Sequence, residues 1–313
     1  MKSRIRRFFA VAGLTTLEAL RQPFLLLLTA TGVVAIALLP ILLMHTMGEA
    51  DKLVQDSALA LHFVCGLLLS GYAASAALGR EIRHGTLATI LSKPVERGTF
   101  FVAKFVGVAG VLAMFAIATG ITTLLAGHMM VENMYRPDMQ IGVLLYIAPL
   151  AAFILAGILN YTTHRPFVST AFVLLVGFLA VVFVFGILTG KVAWRLLPAS
   201  LLVSLATLVL AGIAIALITR LDLVPTLAVC TVIFLVGLMT DYLLGRAAES
   251  NHLAALAYNL IPNWQHFWLA DALNGEGVIP WRYVGRVGIY ATFYLIGSLS
   301  LGILSFQNVE SKA

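Results

Sequence analysis

The residues able to do chemistry are few and mostly far apart. Seven histidines are scattered along the chain, and both cysteines, Cys65 and Cys230, sit in apolar runs. No H-E-x-x-H, C-x-x-C or G-x-S-x-G occurs, so zinc proteolysis, thiol redox exchange and hydrolase-type acylation lack their parts. A phosphate cradle of the form G-x4-G-K-[ST] is missing as well, and Gly107 and Gly110 lie in an apolar stretch with no lysine after them. No catalytic residue, metal or cofactor is expected in this chain. Six methionines, Met44, Met47, Met129, Met130, Met134 and Met139, gather near the ends of apolar runs with His45 and His128 among them. Thioethers and imidazoles suit Cu(I), but flexible methionines also fill interfacial gaps, and the packing reading is preferred. His62, inside an apolar run, reads as a polar helix contact or a pore-facing residue in preference to a metal ligand.

The elements that carry these residues must live in a bilayer. Of 313 residues, 61% are hydrophobic and 11% charged, against roughly 45–50% and 25% in soluble domains, and the mean hydropathy is +0.99. A hydrocarbon core about 30 Å thick takes about 20 apolar residues of helix. Eight such runs occur: Phe24–Met44, Ser57–Gly79, Phe101–Gly127, Ile141–Asn160, Phe167–Leu188, Leu197–Thr219, Leu223–Leu243 and Val287–Phe306. They are continuously apolar and do not alternate, which favours helices over a β-barrel. The expected fold is therefore an all-α polytopic membrane bundle with about eight transmembrane helices. Residues 24–313 form one transmembrane domain, and residues 1–23 an amphipathic helix on its surface.

The basic residues set the orientation. With the amino terminus inside, 13 Lys and Arg face inward and 7 outward, for a net charge of +8 on the inner side and −2 on the outer. By the positive-inside rule both termini are cytoplasmic. Lys2 to Gln22 places Ile5, Phe8, Phe9, Ala12 and Leu17 near helical spacing, as in a helix lying on anionic headgroups; a tail held by charge alone is the alternative. Acidic residues avoid the span centres, whereas ion-coupled carriers bury carboxylates there. Asp241 comes nearest, and a headgroup-level position accounts for it. Two stretches, Ala156–Gly186 and Ala214–Gly245, share a span–turn–span pattern, which reads either as a duplicated hairpin or as a coincidence of composition. In the outer segment 245–286, Trp264, Phe267, Trp268 and Leu269 beside Asp271 and Glu276 suggest an amphipathic helix at the outer interface, as an anchor in preference to a gate.

The most polar inner stretch is residues 80–104, REIRHGTLATILSKPVERGTFFVAK. After a turn at Gly85, Thr86–Ser92 offers a short helix with Leu87, Ile90 and Leu91 on one face, and Pro94 ends it. An apolar face that the bilayer does not need suits a groove on a soluble partner.

The spacing of Glu81, Gly85, Thr86, Leu87, Leu91, Pro94, Val95, Arg97 and Lys104 resembles the inner loop of ABC transporter permeases of the type 2 exporter class. Asn259–Gly277 is similar to the P-x-W-x3-F-x3-D-x-L-x2-G pattern of permeases grouped with the copper-enzyme maturation system, and the ending Ser305–Glu310 is similar to that of the family. The resemblance implies that the loop holds a coupling helix for a separate ABC ATPase subunit, with Glu81, Gly85, Thr86, Leu87, Leu91, Pro94, Arg97 and Lys104 as the coupling residues. ATP and Mg2+ would then be bound by that partner. It further implies an exporter subunit in a prokaryotic inner membrane, working as a homodimer or with a related permease, in contact with lipid and not with nucleic acid. Members commonly have six spans, so eight imply an extra hairpin on a six-span core. A membrane anchor or assembly factor that transports nothing is the alternative.

Overall fold

The computed structural model describes residues 2–46, 49–83, 96–130, 138–245, 251–273 and 277–307. Among these residues the secondary structure is helical throughout, with no strand. An amphipathic helix, α1 (Lys2–Leu20), leads into α2 (Pro23–Leu42) and the long pair α3 (Ala50–Arg83) and α4 (Arg97–His128). A hairpin follows, α5 (Met139–Thr163) and α6 (Phe167–Leu188), then α7 (Leu197–Leu217), α8 (Leu223–Leu238), a short α9 (His252–Leu260) and α10 (Trp281–Gln307). Among the described residues seven helices, α2 to α7 and α10, are long and apolar enough to cross a membrane. The eighth apolar run is the exception to the expected count. Only Leu223–Leu238 of Leu223–Leu243 is α-helical, and its 16 residues reach about 24 Å, short of a full hydrocarbon core. The chain then winds into a π-helical turn, Asp241–Gly245.

The centre of the bundle is α3, α4 and α7, each packed on the other two. Phe101, Leu112, Phe115 and Leu125 of α4 and Leu59, Leu69 and Leu78 of α3 are fully buried there. Around it stand α2, against α3 and α4; α10, against α7 and α4; and α8, against α3 and α7. The hairpin α5–α6 packs along its own length and leans on α2 and α4 from outside. The two stretches that look alike in sequence therefore fold differently. The first is a closely paired hairpin, whereas in the second α7 turns to α3 and α10 and touches α8 only lightly.

The helix α1 lies along the side of the bundle. Ile5, Phe9, Leu14 and Leu17 are exposed on one side, while Ala12, Thr15, Ala19 and Leu20 are buried on the other. The buried side meets α4 at Gly107. A Cβ on that glycine would lie 2.7 Å from the Ala12 carbonyl oxygen and 2.6 Å from Thr15, so only a missing side chain allows this approach. The Thr16 hydroxyl donates to the Gly107 carbonyl at 3.0 Å across the contact.

Candidate functional site

The end called inner here, after its basic residues, gathers the ends of four helices around the entry and exit of residues 84–95. Gly85, Thr86, Leu87, Leu91 and Pro94 lie outside the described residues; Glu81, Arg97 and Lys104 lie within them. The first and last of these three are brought together. Lys104 Nζ donates to Glu81 Oε1 at 2.6 Å and closes α3 on α4 just below the loop. Lys104 is 2% exposed, and its ammonium also stands 5.6 Å from the centre of the Phe100 ring, where the ring's quadrupole favours a cation. Enclosed in this way, Lys104 ties together the two helices that flank the loop.

Arg97 takes a different place. It opens α4 and donates to the carbonyl of Gln307, the last residue of α10, at 3.0 Å. Beside it, Arg4 of α1 pairs with Glu96 at 3.1 Å, with both side chains exposed. Phe306 of α10 lies against Phe100 and Phe101 of α4, with ring centres 6.3 and 5.8 Å apart. Sequence spacing alone does not find Arg4, Phe306 or Gln307, because each comes from a distant part of the chain. The signal they do carry, an aromatic or a charge at an inner helix end, is common to any spanning helix.

At the outer end, residues 259–266 are not a surface helix. Three tyrosines on one side of α10 hold this stretch in antiparallel order. Tyr283 donates to the His266 carbonyl at 3.0 Å, Tyr290 accepts from the Asn263 N–H at 2.9 Å, and the Tyr294 hydroxyl lies 2.8 Å from the Asn259 carbonyl oxygen and 3.1 Å from that of Ile261. Tyr294 sits about 20 Å along α10 from its start, halfway down the helix. The segment is thus a re-entrant arm: α9 descends, and the chain climbs back through short 3-10 turns at Trp264–His266 and Ala270–Leu273. Trp264 is fully buried, which overturns its reading as an interfacial anchor. Its indole N–H approaches the Ile233 carbonyl at 3.4 Å, and Gln265 donates to the Leu238 carbonyl at 3.1 Å. The arm thereby satisfies carbonyls near the end of α8. A Cβ at Gly237 would lie 2.4 Å from the Pro262 oxygen, so this glycine lets the arm lie against α8 and cut the helix short. Asp241 in the π-helical turn accepts from both Tyr258 and Asn263 at 2.8 Å, a tether in place of a free headgroup-level charge.

The described outer methionines differ in their surroundings. Met129 and Met130 are buried, Met44 packs with Met130 against Ala50 and Val54, Met139 is half exposed, and Met47 and Met134 lie outside the described residues. Among the described residues no group of three His, Cys, Asp or Glu could hold a metal. His62 is fully buried between helices, with Ser204 of α7 at 3.4 Å and an edge-on contact to Phe115. Both cysteines are buried and unpaired with one another.

Residues 20–168 match the family model of the ABC-2 family transporter protein. The matched stretch takes in α2, α3, the inner loop, α4 and α5. It covers a little under half of the chain and is a likeness to ABC-2 type membrane permeases; the seven long apolar helices among the described residues fit a multi-pass membrane protein. Comparison with curated proteins gives no match.

Proposed function

We propose that this chain is the transmembrane subunit of an ATP-driven exporter, and that a separate ATPase docks on the inner loop at Thr86–Ser92. The observation that carries the reading is the way the base of that loop is built. Its flanking helices, α3 with 34 residues and α4 with 32, run about 51 and 48 Å without a break and form the centre of the bundle. The Glu81–Lys104 pair joins them, and Arg97 and Glu96 tie the loop's exit to α10 and α1. A push on the loop therefore moves the ends of four helices together, and rigid helices pass it toward the re-entrant arm at the far end. Gly85 and Pro94 would act as the hinges of the docked helix. The match over residues 20–168 includes this loop. The finer likeness to permeases grouped with the copper-enzyme maturation system rests on the spacing within Asn259–Gly277, beyond the matched residues. Two copies, or this chain and a related permease, would enclose the pathway, with both termini in the cytoplasm.

The test is to replace Leu87 and Leu91 together with Asp. Loss of the co-purified ATPase, and of its stimulation by the membrane subunit, is the expected result. Retention at the parental level, with unchanged hydrolysis, refutes docking on this helix.

A further inference from the structure

A groove of about 710 Å3 runs down the flank of the bundle where α7, α10 and the re-entrant arm meet. Its volume falls in the range of ligand sites, about 300–1,000 Å3. The walls are apolar: Ile213 and Leu217 on α7, Phe293 and Leu301 on α10. Phe293 and Leu301 are more than half exposed, so the groove opens sideways, toward lipid.

Both ends are polar, and their separation is informative. The upper end is the arm itself, where Asn259 meets Tyr294. The lower end is Arg220 with Ser305. From Tyr294 to Ser305 the helix rises about 16 Å, close to half of a hydrocarbon core of about 30 Å. The groove is thus one leaflet deep, stopped at mid-membrane by the arm and bounded at the surface by a guanidinium. Arg220 donates through Nε to the Ser305 hydroxyl at 2.8 Å and through a terminal nitrogen to the Ser305 carbonyl at 3.2 Å. These bonds fix the plane of the guanidinium and use two of its five N–H donors. The remaining donors match an anionic oxygen acceptor such as a phosphodiester.

We infer that this groove binds one anionic phospholipid of the inner leaflet, with an acyl chain along α10 and the headgroup phosphate on Arg220. The inference needs the membrane-spanning fold and the charge-based orientation; it does not depend on the transport reading. The lipid would complete a wall of the bundle beneath the arm, where the short α8 leaves the flank of α10 uncovered.

The experiment uses the full-length chain in detergent and follows bound lipid by native mass spectrometry during titration with phosphatidylglycerol or phosphatidylcholine. The parent is expected to hold one phosphatidylglycerol per chain and to prefer it over phosphatidylcholine about fivefold, the worth of one basic residue against an anionic lipid surface. Arg220→Gln should bring the two lipids to equal affinity. A Cβ on Gly297, which lines the groove, meets nothing within 4 Å, so Gly297→Trp projects into open space and should abolish binding of both lipids at an unchanged melting temperature. If that variant melts early, Gly297→Leu repeats the test with a smaller wedge. Equal retention of both lipids by the parent, or parental binding in the filled variants, overturns the site. Disulfide cross-linking of Gly297→Cys chains to one another in membranes would also overturn it, because a second copy would then occupy the groove.

Discussion

Lys104 is a basic side chain at a position with almost no exposure, and it is tolerable there because Glu81 is 2.6 Å away. Removing one partner of a buried pair costs more than removing both. Lys104→Met should destabilise the protein by about 3 kcal/mol, read as a lowered melting temperature in detergent, and Lys104→Met with Glu81→Leu should recover most of the loss. A double variant as unstable as the single would show that the pair contributes nothing as a pair. A second ion pair, Asp138 with Lys191, joins the two outer ends of the α5–α6 hairpin. Burial raises the Asp138 carboxyl, but the Lys191 ammonium and the Gln140 N–H outweigh it, and its pKa lies below the usual 3.8. A carboxyl with a depressed pKa contributes stability that is complete above its unfolded value and disappears as pH falls through its folded one. The melting temperature of the parent should therefore drop on the acid side of about pH 4 by an increment that Asp138→Asn lacks. Identical acid profiles for the two would remove the pair from the account. Glu81 and Lys104 stand out in the sequence through their spacing around the loop, yet nothing in that spacing says that they bind each other. That takes two helices lying side by side.

At the level of elements, most of the helices are legible from charge alone, since a run without Lys, Arg or Glu must begin and end at a headgroup. The difference at Leu223–Leu243, where the α-helix is shorter than the apolar run, has a physical cause. An apolar run reports that residues are out of water, and it does so equally whether they face lipid along a spanning helix or face a folded-back piece of their own chain. Trp264 misleads in the same way, because an indole is at home both at a membrane interface and in a core. The arm also shows why α10 carries Tyr283, Tyr290 and Tyr294 on one side. Irregular backbone at membrane depth has no water to bond, so its N–H and C=O groups must be met by side chains. Tyr294→Phe removes the hydroxyl that lies beside the Asn259 and Ile261 carbonyls, at a cost of about 1–3 kcal/mol. The expected result is a looser arm. An Asn259→Cys thiol should react slowly with a membrane-impermeant maleimide in the parent background and at least several times faster with Tyr294→Phe. Equal rates would mean that the tyrosine does not hold the arm.

On the scale of the whole molecule, the α5–α6 hairpin stands apart. It leans on α2 and α4 from outside, and its two ends meet through Asp138 and Lys191. In a bilayer the faces it covers would lose little by meeting lipid tails, which are as apolar as the side chains they replace. Joining Asp138 directly to Lys191, with residues 139–190 removed, should therefore leave a folded protein that melts cooperatively and keeps both termini on the same side. Aggregation of that deletion while the parent stays monodisperse would show the hairpin to be part of the core. The sequence does not reveal which pair of spans is peripheral, because all of them are similarly apolar; the distinction lies in which neighbours they touch. The closed neck also bears on how the protein is made. The contacts between α5 and α6 are local in the chain, and local contacts form quickly, so this pair can enter the bilayer as a finished unit while the ribosome is still making α7. The pairing of α7 with α3, between helices more than a hundred residues apart, must come later. The latch between Asp138 and Lys191 then delivers α7 to the same edge of the membrane from which α4 ended, so a long detour in sequence adds almost nothing to the search that assembles the bundle.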